Sequence, residues 1–250
     1  MSFTGNYRIA DKVIEVTSLY IDVHKYCKYY KTGEKADFCV ETSESDIEYE
    51  RERSERTEIS EGRKVIEWKN GYLEELAVYR KIAEKMPEYG VFLMHGSVIA
   101  VDGIGYMFTA KSGTGKSTHT RLWREFLGDR AVMVNDDKPL VKVSESGVTV
   151  YGTPYNGKHR LGNNISVPLE CICILERSAE NHIIQIDRSQ AYNMLLQQSY
   201  RPSDISMLSK TIELIDKMAD RVRFYRLGCN MDISAAELSF RTMSSQQKNC

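Results

Sequence analysis

The sequence predicts an α/β fold: a mixed β-sheet flanked by helices, carrying a phosphate loop where one strand gives way to a helix, with a small β-rich region ahead of it. Three observations predict it. A strand, a turn, a second strand, a glycine-punctuated loop and a helix follow one another between Val91 and Leu127. Beyond that point strand-sized apolar runs alternate with stretches of helical periodicity. Before it, residues 6 to 40 alternate apolar and polar side chains, as in Val13-Ile14-Glu15-Val16 and Tyr20-Ile21-Asp22-Val23, with a turn at Lys31-Thr32-Gly33-Glu34.

In chain order, the early alternation predicts short antiparallel strands. The Glu- and Arg-rich stretch from Ser43 to Lys64 fits equally an exposed helix laced by charge pairs and a solvated connector. Tyr72 to Met86 places Leu73, Leu76, Ala77, Tyr79, Ile82, Ala83 and Met86 at helical spacing and stops before Pro87. Strands are expected at Val91 to Val101, Gly105 to Thr109, Ala131 to Val134, Val148 to Tyr151, Leu169 to Leu175, His182 to Ile186 and Val222 to Tyr225. Helices are expected at Lys116 to Leu127, Ser189 to Gln198, Asp204 to Asp220 and Ile233 to Phe240. Two regions result: a β-rich segment with its charged connector over 1–70, and a phosphate-loop domain over 71–250.

A net charge of −1 over 250 residues argues against a general nucleic-acid or anionic-membrane surface. No apolar run approaches the twenty residues of a membrane span, and Met1-Ser2-Phe3-Thr4-Gly5 lacks a secretion signal's basic start and apolar centre, so a cytoplasmic location is expected. The six cysteines, at 27, 39, 171, 173, 229 and 250, show no C-x-x-C pair and no zinc spacing. Cys171 and Cys173 share one face of an expected strand and read as core thiols.

The chemistry concentrates between Thr109 and Thr118, Thr-Ala-Lys-Ser-Gly-Thr-Gly-Lys-Ser-Thr. Gly113 and Gly115 let backbone N–H groups of the run Ser112 to Thr118 turn inward around phosphate oxygens. Lys116 reaches the β- and γ-phosphates, and Ser117 offers its hydroxyl to Mg²⁺. The first position of G-x-x-x-x-G-K-[ST] is Ala110, one methyl group away from the strict pattern. Ala131 to Val134 runs directly into Asn135-Asp136-Asp137, putting two carboxylates past a strand expected beside the phosphate-loop strand. One supplies a hard oxygen to nucleotide-bound Mg²⁺ and the other takes the proton of an attacking hydroxyl. His95, in Leu93-Met94-His95-Gly96-Ser97, is expected near the carboxylates, where an imidazole orients an Asp.

His95-Gly96, the loop Ala110 to Ser117 and Asp136-Asp137 together resemble the catalytic domain of HPr kinase/phosphorylase, whose phosphate-loop core is shared with phosphoenolpyruvate carboxykinase. The likeness runs from about Gly90 to Tyr151. It implies an ATP-dependent kinase with Asp136 as general base toward a serine hydroxyl, His95 supporting Asp136, Asp137 and Ser117 holding Mg²⁺, and Lys116 on the phosphates. The first 70 residues and the missing Pro-Gly-Arg-type loop depart from that family, so the chain looks more like its divergent relatives, some of which phosphorylate a serine of a ribosomally made peptide. Assembly into homo-oligomers is a further implication of the resemblance. The acceptor is then a hydroxyl of a peptide, protein or small molecule, with no role for nucleic acid or membrane; a nucleotide-hydrolysing switch or binding protein is the alternative. Tyr151 to Arg160 reads either as a hairpin connection or as a loop that closes over the transferring group, with Lys158 or Arg160 neutralising charge in the transition state.

Overall fold

The computed structural model describes residues 2–157 and 159–245. They form two compact units, Met1–Lys85 and Met86–Cys250.

The first unit starts with an antiparallel hairpin, β1 (Phe3–Ile9) and β2 (Lys12–Ser18), and β3 (Phe38–Glu41) joins β2 in parallel. The segment around Tyr20-Ile21-Asp22-Val23, expected as a strand, instead enters the short helix α1 (Asp22–Tyr26), whose Val23 is buried. The charged stretch is a 17-residue helix, α2 (Glu44–Ser60), begun by a capping box in which Ser43 and Asp46 exchange hydrogen bonds. It is anchored to α3 (Asn70–Lys85) by ion pairs: Arg80 Nε reaches Glu50 Oε1 at 2.5 Å and Lys81 Nζ reaches Asp46 Oδ2 at 2.7 Å. The surplus of acids and bases thus encodes a packed helix.

Expected with the phosphate-loop region, α3 instead belongs to the first unit. The reason is Glu74, fully buried, whose carboxylate accepts from Leu19 N and Tyr20 N at 2.7 Å each and from Thr42 Oγ1 at 2.6 Å. One side chain thereby joins the ends of β2 and β3 to the helix.

The second unit is a nine-stranded mixed sheet. The apolar run from Val91 to Val101 is two strands, β4 (Val91–Leu93) and β5 (Ser97–Val101). Next come β6 (Ile104–Thr109), helix α4 (Lys116–Leu127), β7 (Ala131–Asn135), β8 (Leu140–Ser144) and β9 (Gly147–Tyr151). Of these β8 was absent from the sequence expectation. Then follow β10 (Ser166–Arg177), β11 (His182–Ile186), α5 (Arg188–Gln198), α6 (Ile205–Ala219), β12 (Arg223–Cys229) and α7 (Ile233–Ser244). The order runs β4-β8-β9-β10-β6-β5-β7, with β12 parallel to β10 and β11 antiparallel to β12. So β7 does not lie beside the phosphate-loop strand β6: β5 lies between them, antiparallel to both.

Strand β10 shows how the two layers of core divide. Ile172 and Ile174 face one apolar cluster with Leu195 of α5 and Leu214, Ile215 and Met218 of α6. Cys171, Cys173 and Leu175 face the other, with Leu122 and Trp123 of α4 and Ala236 and Met243 of α7. Both thiols are buried, as their alternation predicts. Trp123 Nε1 donates to Ser239 Oγ at 2.8 Å, which fixes α4, and with it the phosphate loop, against α7. Among the described residues no helix is long and apolar enough to cross a membrane.

Candidate active site

The phosphate loop connects the end of β6 to α4. Gly113 and Gly115 have φ of +75° and +125°, a region L side chains rarely adopt, and open space lies where their Cβ atoms would stand. Gly115 is the N-cap of α4 and offers no side-chain acceptor, so the first amides of the helix keep their donors for a ligand. Ala110 is absent from the residues with positive φ, so the extra methyl group brings no backbone strain. Its carbonyl accepts from Lys116 Nζ at 3.2 Å. Burial pulls the Lys116 ammonium below its usual range, while the charges of Asp137 and Asp136 push it back.

A cleft of about 500 Å³ opens over this loop, and Lys116, Ser117, His95, Asp136, Asp137 and His159 are among the residues lining it. Ser112, Gly113, Gly115 and Thr118 line it as well. Thr114 turns away: its Oγ1 donates to Lys111 O at 2.9 Å. The two carboxylates differ. Asp136 is buried, 5% exposed, and its Oδ1 accepts from Ser97 Oγ at 2.6 Å. Asp137 is more open, with 30% of its side chain exposed, and its Oδ1 lies 3.2 Å from His95 Nε2. The imidazole therefore partners Asp137, not Asp136 as the sequence reading had it. Strand register is the cause: Gly96 N donates to Asp137 O at 3.0 Å, which sets His95 beside that residue.

His95 is held from several sides. Its N–H donates to Gln198 O at 2.7 Å, its carbonyl accepts from Thr109 Oγ1 at 3.0 Å, and its Nδ1 lies 2.9 Å from Gln198 Oε1. Both ring nitrogens thus face oxygens. An ionised carboxylate only accepts, so Nε2–H donates to Asp137. Burial raises the Asp137 carboxyl, but the hydrogen bond from His95 and the charges of Lys138, His95 and Lys116 outweigh it and hold the group below the usual carboxylate range.

Behind the acids, Asn135 closes the turn. Its Oδ1 accepts from Asp137 N at 2.9 Å and Lys138 N at 2.8 Å, and its Nδ2 donates to Thr153 Oγ1 at 3.0 Å. The loop after β9 reaches the cleft through Gly157 and His159. Arg160 is not among the lining residues, whereas His159 is; Lys158, the other cation expected there, lies outside the described residues. Gly152 permits the approach of this loop, since a Cβ there would stand 1.9 Å from Asn163 O.

Ser97, Gln198, Asn135 and Thr109 are the supporting residues that sequence reasoning missed. Ser97 and Asn135 adjoin recognised residues, which is a usable signal. Gln198 stands 103 positions from His95 and carries none.

Among the described residues no three of His, Cys, Asp and Glu gather into a set able to hold a metal ion alone. The hydroxyl of Ser117 and the carboxylate of Asp136 fit instead a hard cation that keeps phosphate and water oxygens as its other ligands.

The family model described as ScmC: SynChlorMet cassette protein ScmC matches residues 61–235, more than half of the chain. A solved structure, the HPr(Ser) kinase/phosphatase from Coxiella burnetii, is similar over 62% of this chain and 95% of that one, at 9% identity and a TM-score of 0.32. At that score the likeness is too slight to carry fold or activity across. No curated protein matches.

Proposed function

The chain belongs to the ScmC family of SynChlorMet cassette proteins, and we propose that it transfers a phosphoryl group from a magnesium-bound nucleoside triphosphate to a hydroxyl. The observation that carries this reading is that one cleft is lined by the glycine loop, Lys116, a buried carboxylate and a second carboxylate paired with an imidazole. A phosphate-binding loop alone serves many functions; an oriented, more exposed carboxylate in the same cleft is what an attacking hydroxyl needs.

The roles follow the partners rather than the order in sequence. Asp137, held through Oδ1 by His95, takes the acceptor's proton as the acceptor oxygen bonds to the γ-phosphorus and the bond to the β,γ-bridging oxygen breaks. Lys116 and the loop amides counter the charge that collects on the departing diphosphate. Asp136 and Ser117 are the residues to hold Mg²⁺, which when bound neutralises the β- and γ-phosphates. This exchanges the duties first assigned to the two acids, because the acid that His95 orients is Asp137. A serine of a peptide or protein, or a small-molecule alcohol, serves as acceptor. The family name points to a cassette, whose other products are the first candidates.

The test is incubation with γ-labelled ATP, Mg²⁺ and candidate acceptors. Label on the acceptor hydroxyl is the expected result. Label released only as inorganic phosphate, with every acceptor unmarked, favours a nucleotide-hydrolysing switch.

A further inference from the structure

Behind Asp136 two hydroxyl side chains are shut inside the second unit. Ser97 is the first residue of β5, and Thr120 lies one turn into α4 from Lys116; both are buried. All five residues of β5 are buried, and at such a position an aliphatic side chain would pack without the cost of hiding a hydroxyl. The two hydroxyls are spent on each other and on the acid. Ser97 Oγ lies 2.6 Å from Asp136 Oδ1 and 3.0 Å from Thr120 Oγ1.

Proton supply fixes the direction of these contacts. Asp136 offers Ser97 only lone pairs, so Ser97 gives its single proton to Oδ1. Thr120 is then the donor to Ser97 Oγ, and hydrogen bonds joined in this way polarise and strengthen one another. Thr120 Oγ1 also stands 3.3 Å from Lys116 O and from Ser117 O, the carbonyls of the residues that open α4. The result is a bridge from the carboxylate just past β7 to the first turn of α4, which carries Ser117. Asp136 Oδ1 is committed to that bridge. Oδ2 has no hydrogen-bond partner among the described residues, and it is the oxygen left for the cleft that Asp136 lines.

The two protein oxygens that fit a hard cation, Asp136 Oδ2 and Ser117 Oγ, thus come from separate elements that the bridge ties together. Mg²⁺ demands oxygens at about 2.0–2.1 Å in near-octahedral array, whereas Ca²⁺ takes about six to eight at about 2.3–2.6 Å and tolerates a pliable cage. Selectivity between the two depends on how far the ligands can spread. Hydrogen bonds behind a ligand set that freedom, and losing one typically weakens metal affinity by roughly 10- to 100-fold.

We propose that Ser97 and Thr120 are positioning residues that set cation specificity: by tying Asp136 to the turn that carries Ser117, they favour Mg²⁺ and disfavour the larger Ca²⁺. The inference rests on the reading of Asp136 and Ser117 as the cation's ligands and extends it to the choice of cation.

Calorimetric titration of the whole protein with ATP, in saturating Mg²⁺, in saturating Ca²⁺ and in EDTA, tests it. The native protein is expected to bind ATP roughly tenfold or more tightly with Mg²⁺ than with Ca²⁺. Ser97→Ala, which cuts the bridge, should shrink that ratio by roughly tenfold through a loss on the Mg²⁺ side, with affinity in EDTA unchanged. Thr120→Val keeps the shape, removes the second proton and shifts the ratio in the same direction by less; it carries the test should Ser97→Ala not fold. Thr120→Ser keeps the hydroxyl and should keep the native ratio. Three results overturn the proposal alone: no preference between the cations in the native protein, variants that lose Mg²⁺- and Ca²⁺-dependent affinity equally or not at all, and a ratio in Thr120→Ser as altered as in Thr120→Val. Native ATP affinity that is the same in Mg²⁺ and in EDTA overturns the assignment of Asp136 and Ser117 as cation ligands together with it.

Discussion

Glu74 of α3 in the first unit and Asp137, just past β7 in the second, are both carboxylates, yet their surroundings are opposite. Glu74 is fully buried and its two oxygens accept three hydrogen bonds from the chain, two from backbone amides and one from a hydroxyl. Asp137 is held at one oxygen by His95, and 30% of its side chain faces open space. A carboxylate buried in this way and bonded at both oxygens is structural, because no ligand reaches it. A carboxylate oriented at one oxygen and open at the other keeps a lone pair for a proton in transit. Burial and bonding at both oxygens against one, rather than residue type, distinguish the two.

The largest effect that would sharpen this contrast falls on Glu74. Glu74→Ala orphans three buried donors and is expected to cost roughly 3–5 kcal/mol of unfolding free energy, read by urea denaturation. A loss under about 1 kcal/mol would show that those donors find other partners. Lys116→Ala should do the reverse. Nucleotide affinity falls by about 100-fold or more, worth ~3 kcal/mol, while stability holds or rises, since a desolvated ammonium has been removed. Unchanged affinity would break the assignment of this cleft.

His119 extends the contrast to pH. Its pKa is about 4 folded and near 6.5 unfolded, so below 6.5 the unfolded chain binds the extra proton and stability declines as pH falls from about 6.5 to about 4. The full contribution is ~3 kcal/mol at about 1.4 kcal/mol per pKa unit. Denaturation across that range in the native protein and in His119→Gln should show a shallower slope in the variant; parallel slopes would mean that the ring is not buried neutral. The smallest effect belongs to Gln198→Ala. Loss of the contact to His95 Nδ1 should lower transfer by roughly tenfold, ~1.4 kcal/mol, with little change in nucleotide affinity, by comparing kcat with the nucleotide Kd. Equal losses in both would make Gln198 a packing residue only.

Much of the candidate cleft's lining was legible because it is local. The run Ser112 to Thr118 carries its chemistry in consecutive residues, and α4 covers Lys116–Leu127 as its uninterrupted composition predicts. Acid pairing was not legible, because which carboxylate meets His95 depends on the register between Gly96 and Asp137. Likewise β5 stands between β6 and β7, a fact of sheet order that no periodicity contains. The charged segment before α3 read two ways until Glu50 and Asp46 met Arg80 and Lys81, residues 30 to 35 positions apart. A second cleft bordered by the phosphate loop left no motif at all, since Leu122, Leu175 and Met231, which line it, come from three separate elements or their ends.

Phosphoryl transfer in this cleft depends most directly on how the two adjacent acids divide their work. Measured side by side, phosphoryl transfer and Mg²⁺-dependent nucleotide affinity in Asp137→Asn and Asp136→Asn decide it. Asp137→Asn is expected to lose transfer by roughly 10²- to 10⁴-fold with nucleotide affinity intact, whereas Asp136→Asn loses the Mg²⁺-dependent part of that affinity. Transfer at the native rate in Asp137→Asn would contradict the account.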